Sequence, residues 1–217
     1  MIQNSSNNNN LFIHYGSPLL WRGAGGEEKT KTKMKNIFSI LKFTVLMVIL
    51  FAVIYPLAIY GIAQFAPNNG KGETITVDGK VIGYQKIGQK FDKANYFWGR
   101  PSAVDYNAAG SAGSNNGPSN AEYLALVQKR IDTFLIVHPY LKKADIPSDL
   151  VTASGSGLDP NISPEGALIQ VKRVAQVRKL PEDKVKALVE SNINKPSLMG
   201  TSTVNVLELN VALDKLK

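Results

Sequence analysis

From Phe43 to Ala63 the chain runs for 21 residues without a charge, and at about 1.5 Å per residue a helix of that length covers the roughly 30 Å of a bilayer's hydrocarbon core. This segment constrains the fold more than any other, because it predicts one membrane-spanning helix near the N-terminus. The apolar pattern reaches back to Ile37 across Lys42, whose long side chain can follow the helix to the head groups and mark the cytoplasmic rim. Pro56 lies inside the span with Tyr55, Tyr60 and Gly61 nearby; its missing N–H and its ring predict a kink there. Arg22, Lys29, Lys31, Lys33, Lys35 and Lys42 precede the span, whereas only Lys71 follows before Lys80. Basic residues stay on the cytoplasmic side, so the N-terminus is expected inside and residues 67–217 outside, in an extracytoplasmic domain. A cleaved signal peptide fits less well: the run exceeds the usual apolar core of about 7–15 residues, and no clear small-x-small cleavage site follows Tyr60.

Residues 1–33 open with an asparagine run and continue through glycine-rich, charged sequence without helical or strand periodicity, and are expected to be disordered. Met34 stands directly before Lys35 and the apolar run, which predicts a physiological start at Met34; an intact mass that includes residues 1–33 would refute this. Residues 34–66 then hold the span and its basic flank.

A net charge of +8 raises nucleic acid as a partner. The basic residues gather around the span instead of interleaving with aromatics, so no nucleic-acid site is expected. The chain has no cysteine and only two histidines, His14 and His138, which excludes disulfides and thiolate sites and makes a triad or zinc site improbable.

Within the outer domain, Glu73–Val77 and Val81–Tyr84 flank Asp78-Gly79, a type I′ hairpin signal. Residues 91–120 are rich in Asn, Gly, Ser, Pro and aromatics with no steady period, predicting a long ordered loop of the kind that carries function or an interface. Ser119 and Glu122 have capping-box spacing, and Leu124, Val127, Ile131 and Phe134 recur at helical intervals until His138-Pro139. Ser163 as N-cap and Pro164 at the first position open a second helix with Leu168, Val171, Val174 and Ala175 inward and Lys172, Arg173 and Arg178 elsewhere. Pro181 opens a third with Val185, Leu188 and Val189 inward, and Asn205 with Glu208 caps a last one carrying Val206, Leu209 and Leu213. The expected fold class is α+β: a spanning helix followed by a helix-rich domain with a small β-hairpin or sheet.

Two segments offer chemistry. Ser154, Gly155, Ser156, Gly157 and Asp159, before a helix start near Ser163, resemble a phosphate-cradling turn. The turn lacks the lysine of a P-loop and the spacing of a dinucleotide fingerprint, and Asp159 before Pro160 equally suits a turn former bonding local N–H groups. Glu165 and Asp149 form an acid pair only if the fold joins them. Tyr96, Phe97 and Trp98 beside Arg100 and Pro101 have interface composition, although buried aromatics dominate cores as well. His138 before Pro139 is expected to be a satisfied residue at a helix end.

Across these segments the chain resembles the C subunit of the Kdp high-affinity potassium-transporting P-type ATPase of bacteria and archaea. The likeness runs from about Met34 to the C-terminus through Tyr55-Pro-Leu, Ile87-Gly-Gln89 with Phe91, Tyr96-Phe-Trp-Gly-Arg-Pro-Ser102, Tyr106-Asn107 and Gly113 to Asn120. It continues through Val151 to Pro160, Ile162-Ser-Pro164 and Val204 to Asn210. The resemblance implies a non-catalytic accessory subunit of a cell-membrane complex, beside a channel-like potassium-translocating subunit and an ATP-hydrolysing P-type subunit. Docking on the translocating subunit is expected through Tyr96, Trp98, Arg100, Pro101, Asn107, Asn115 and Asn116. The resemblance further implies a catalytic chaperone that raises the ATP affinity of the hydrolytic subunit, with the Ser154–Glu165 segment as the nucleotide contact and ATP as cofactor of the complex. The charge bias across the span places that segment on the side away from ATP. Asn161 stands where the family often has histidine, and Met199-Gly-Thr201 where it often has Leu-Gly-Glu; the first weakens any role needing an imidazole. The alternative reading is a stand-alone membrane-anchored enzyme or solute-binding domain.

Overall fold

The computed structural model describes residues 26–196 and 198–216, which divide between Phe65 and Ala66 into two compact units. In the first, α1 (Gly26–Ile49) continues through a π-helical turn, Leu50–Ile54, into α2 (Tyr55–Ala63). Residues 36–63 form one long apolar helix whose most apolar 18-residue stretch has a mean hydropathy of 2.7, with none of that stretch buried, as a lipid-facing helix requires. Pro56 leaves its mark as the π turn just before it, where Tyr55 N–H donates five residues back to the Leu50 carbonyl. The extra residue widens the turn that would otherwise crowd the proline ring. The expectation of disorder needs correction for residues 26–33, which are helical; extending an existing helix costs far less than nucleating one, and this stretch has no proline to stop it. Residues 1–25 lie outside the described residues.

In the second unit, β1 (Thr74–Val77) pairs antiparallel with β2 (Lys80–Tyr84) through an Asp78-Gly79 turn. Both turn residues have positive φ, 49° and 75°, the type I′ geometry that matches strand twist. No regular element interrupts residues 85–120. Helix α3 (Ala121–Val137) follows, capped by Asn120, whose side chain accepts from Tyr123 N–H; the cap is thus one residue later than the Ser119 box predicts. Leu124, expected inward, is 51% exposed, while Ile131 and Phe134 are buried, so only the C-terminal half of α3 reaches the core.

The second predicted helix is two. Ser163 caps α4 (Pro164–Leu168), accepting from Gly166 N–H, and α5 (Val171–Arg178) restarts after Gln170. α6 (Glu182–Ser191) and α7 (Val206–Lys215) complete the helical layer, the latter capped by Asn205 as expected. A three-stranded antiparallel sheet that the sequence did not announce joins β3 (Asn161–Ile162), β5 (Thr203–Asn205) and β4 (Ile193–Asn194) in that order. Strands of two or three residues carry no readable alternation. The core gathers Val171, Val174, Val185, Val189, Val204, Leu209 and Leu213 around Phe97, burying the apolar faces predicted for the last three helices. The α+β class holds.

Candidate functional site

The long loop has no strand partner, so its backbone groups must find other bonds. Side chains from α5, α7 and the residue before α5 supply them. Asn210 accepts from Phe97 N–H at 2.9 Å and donates to its carbonyl at 3.0 Å. Gln170 does the same for Trp98, at 2.8 and 3.2 Å. Arg173 donates to the carbonyls of Ala94 and Tyr96, and Arg178 to that of Asn95 at 2.7 Å. Five consecutive residues are thereby held as firmly as a strand, with their side chains displayed in fixed positions.

Arg173 was expected off the apolar face of its helix, yet it is buried at 3% exposure. Its guanidinium lies 4.5 Å from the Trp98 ring centre, donates to Gln170 Oε1 at 2.8 Å and to His138 Nε2 at 2.8 Å. Because His138 Nε2 accepts, its proton sits on Nδ1 and is donated to the Phe134 carbonyl at 2.8 Å. The imidazole also stacks on Phe134 at 3.9 Å. Burial first, then the Arg173 charge, push the His138 pKa down to about 4. His138 is the satisfied helix-end residue expected.

Tyr96 is covered by Arg178 at 4.8 Å and donates its hydroxyl to Asp214 at 3.1 Å. Phe97 is core, Trp98 is half-buried, and Pro101 accepts from Ser154 N–H at 3.2 Å. The tyrosine, tryptophan and arginine of this segment are therefore structural posts as well as surface groups. Asn107, Asn115 and Asn116 are exposed; Asn107 accepts from Ala109 N–H at 3.0 Å and Asn115 takes a positive φ of 53°.

The serine–glycine turn packs against the same loop. Ser154 is buried, Gly155 and Ser156 face solvent, and Gly157 is buried with φ +68°. A Cβ at Gly157 would stand 2.6 Å from a Val104 methyl and 2.8 Å from the Ala112 carbonyl, so only glycine fits. Ser102 ties the two segments by donating to the Gly157 carbonyl at 2.7 Å. Asp159 pairs with Arg100 at 3.0 Å and accepts from Asn161 N–H at 3.0 Å, joining the two segments that the sequence left separate. Nearby, burial and the Asp159 charge push Tyr106 up to about 12, and its hydroxyl donates to the Arg100 carbonyl at 2.5 Å.

Two depressions flank these segments. A polar cleft of about 790 Å³ brings together Arg100, Asp149, Asp159, Ser163 and Glu165, so the fold does unite the two acids whose spacing promised nothing. Asp149 is occupied by Ser163, accepting from its N–H at 2.7 Å and its hydroxyl at 3.2 Å. Three carboxylates against one paired guanidinium make this cleft unfavourable for a polyphosphate. Ser154, Gly155, Ser156 and Gly157 do not line it. A second groove, about 490 Å³, runs between the 91–101 loop and α3 over Phe91, Trp98, Leu126 and Phe134.

The sequence alone missed Gln170, Arg173 and Asn210 as the clamps of the loop. The available signal was their position among Val171, Val174, Leu209 and Leu213 on otherwise apolar faces, where a polar residue must have a partner.

Residues 37–215 match the family model described as KdpC, the K+-transporting ATPase c chain. The "Potassium-transporting ATPase KdpC subunit" of Flavobacterium psychrophilum is 84% identical over 184 residues, covering 85% of this chain and all of that protein. The protein of the same description from Flavobacterium johnsoniae is 80% identical over the same shares, and that from Bacteroides thetaiotaomicron 52% identical over 189 residues, 85% of this chain and all of that protein. With one candidate span among the described residues, its mixed helix-and-sheet domain and these matches, the chain belongs to the KdpC family of K+-transporting ATPase subunits.

Proposed function

We propose that the chain is a single-pass accessory subunit of an ATP-driven potassium uptake complex, its N-terminus cytoplasmic and its 67–217 domain extracytoplasmic, docked on the channel-like translocating subunit. The observation that carries docking is the clamped loop: three buried polar side chains and Arg178 hold Ala94 to Trp98 in place, a pre-organised surface that loses little freedom on binding. The exposed Asn107, Asn115 and Asn116 extend it. The rise in ATP affinity of the hydrolytic subunit is assigned to coupling through the translocating subunit, without nucleotide contact at Ser154 to Glu165. The acidic cleft and the outside placement expected from the basic flank both support this.

The test is affinity purification from mild-detergent membranes of potassium-starved cells. Recovery of a P-type ATPase chain and a channel-like chain is expected, and Asn107→Lys with Asn116→Lys is expected to lose both without unfolding the domain. Recovery of this chain alone would favour a stand-alone anchored enzyme or solute-binding domain. Topology is tested separately with Gly155→Cys, since Ser154 is buried and Gly155 is open to solvent with no atom near its Cβ position. A membrane-impermeant maleimide is expected to label it in intact cells; labelling only after permeabilisation would place the domain inside and reopen direct ATP contact.

A further inference from the structure

The groove between the 91–101 loop and α3 is lined largely by apolar side chains. Phe91, Trp98 and Phe134 line it together with Leu126 and Leu150. Trp98 is not free to swing over the opening: its indole N–H donates to the Lys93 carbonyl at 2.9 Å, its ring stands edge-on to Phe134 at 6.1 Å, and Arg173 lies across it. The depression is thus built into the fold rather than a gap between mobile side chains. Its α3 wall carries a second signal. Leu126, which lines the groove, is more than two-fifths exposed within two turns of the Asn120 cap. Apolar side chains concentrated beside a preformed groove mark a surface that another molecule covers.

Charge selects the occupant. Lys129 and Arg130 stand on the α3 side of the groove with Asp92 alone on the loop side. Arg130 commits one nitrogen to the Val151 carbonyl at 3.1 Å, and Lys129 forms no ion pair among the described residues. An apolar floor with a cationic rim suits a side chain that fills the floor and a carboxylate beside it.

We propose that this groove receives an extracytoplasmic segment of a partner subunit, inserting an aromatic or branched aliphatic side chain next to an acidic residue that meets Lys129. The inference rests on the accessory-subunit reading and specifies where and by what chemistry the partner is gripped.

Benzoylphenylalanine placed at Thr133, an exposed position on the groove wall, tests it in the purified complex, with the same probe at the exposed Glu190 of α6 as comparator. Irradiation is expected to join position 133, and not 190, to another chain of the complex. Lys129→Glu is expected to lower that crosslink at least tenfold while the thermal transition of the chain stays in place. If the complex co-purifies in full yield but position 133 captures only phospholipid, or nothing, the groove proposal is overturned and the subunit reading stands. An unchanged crosslink in Lys129→Glu overturns the acidic contact. Failure of any partner to co-purify with the unmodified chain overturns the subunit reading, and this one with it.

Discussion

Replacing Arg173 by methionine removes a group that serves four acceptors at once. The guanidinium satisfies the carbonyls of Ala94 and Tyr96, the Nε2 of His138 and the Oε1 of Gln170, and packs on Trp98. Methionine fills most of the volume but donates nothing. Gln170 Oε1 keeps the Trp98 N–H, so three acceptors lose a donor, at about 1–3 kcal/mol each when water cannot replace it. The two carbonyls are only partly buried, which puts them at the low end, and relief of the desolvated charge offsets part of the loss. The expected net cost is about 3 kcal/mol, a large share of the roughly 5–15 kcal/mol of a typical domain. Arg173→Lys should fall between, because an ammonium cannot span the fork of acceptors. The assay is urea unfolding of the full chain in detergent micelles, followed by tryptophan emission, which Trp98 reports from inside the network. A midpoint for Arg173→Met that corresponds to a loss under about 1 kcal/mol would refute the idea that buried donors hold the loop.

His138 makes stability depend on pH in a definite sense: its folded pKa is depressed to about 4 from 6.5, so the unfolded chain takes the proton first as pH falls. Stability should therefore decline between about pH 6.5 and 4 by about 3 kcal/mol, and His138→Gln should flatten that slope in urea titrations. Asn210→Leu, which keeps the branching and heavy-atom count of the side chain but none of its polar atoms, should lose about 2–4 kcal/mol by stranding the Phe97 N–H and carbonyl, seen as a lower thermal midpoint. Gly157→Ala should cost more than about 1 kcal/mol from positive φ and its contacts with Val104 and Ala112, whereas Gly117→Ala, with no atom within 4 Å of its Cβ position, should stay within about 0.5 kcal/mol of the parent.

The spanning helix, the hairpin and the caps at Ser163 and Asn205 were legible because each is written in neighbouring residues. An uncharged run, a type I′ dipeptide or a hydroxyl three residues before an N–H needs no distant partner to act. The candidate site was legible only in its pieces. Arg100 read as an interface group and Asp159 as a turn former, yet they are one ion pair across 59 positions of chain. Leu124 fits the helical period of α3, but period states which face a side chain occupies, not whether the core extends far enough to cover it.

What the sequence determined by itself is therefore membrane attachment, the α+β class, the positions of most helices and, through many separated short matches, the family. Tertiary structure alone decided that α4 and α5 break at Gln170, that Arg173 turns inward, and that Asp149, Asp159 and Glu165 share a cleft. The physical reason is that helix and turn signals are local energies of about 1 kcal/mol that the chain carries wherever it goes. The environment of a buried polar or charged side chain is set instead by distant residues, 79 positions away for Ala94 and Arg173 and 113 for Phe97 and Asn210, and only the folded chain brings them within hydrogen-bond reach.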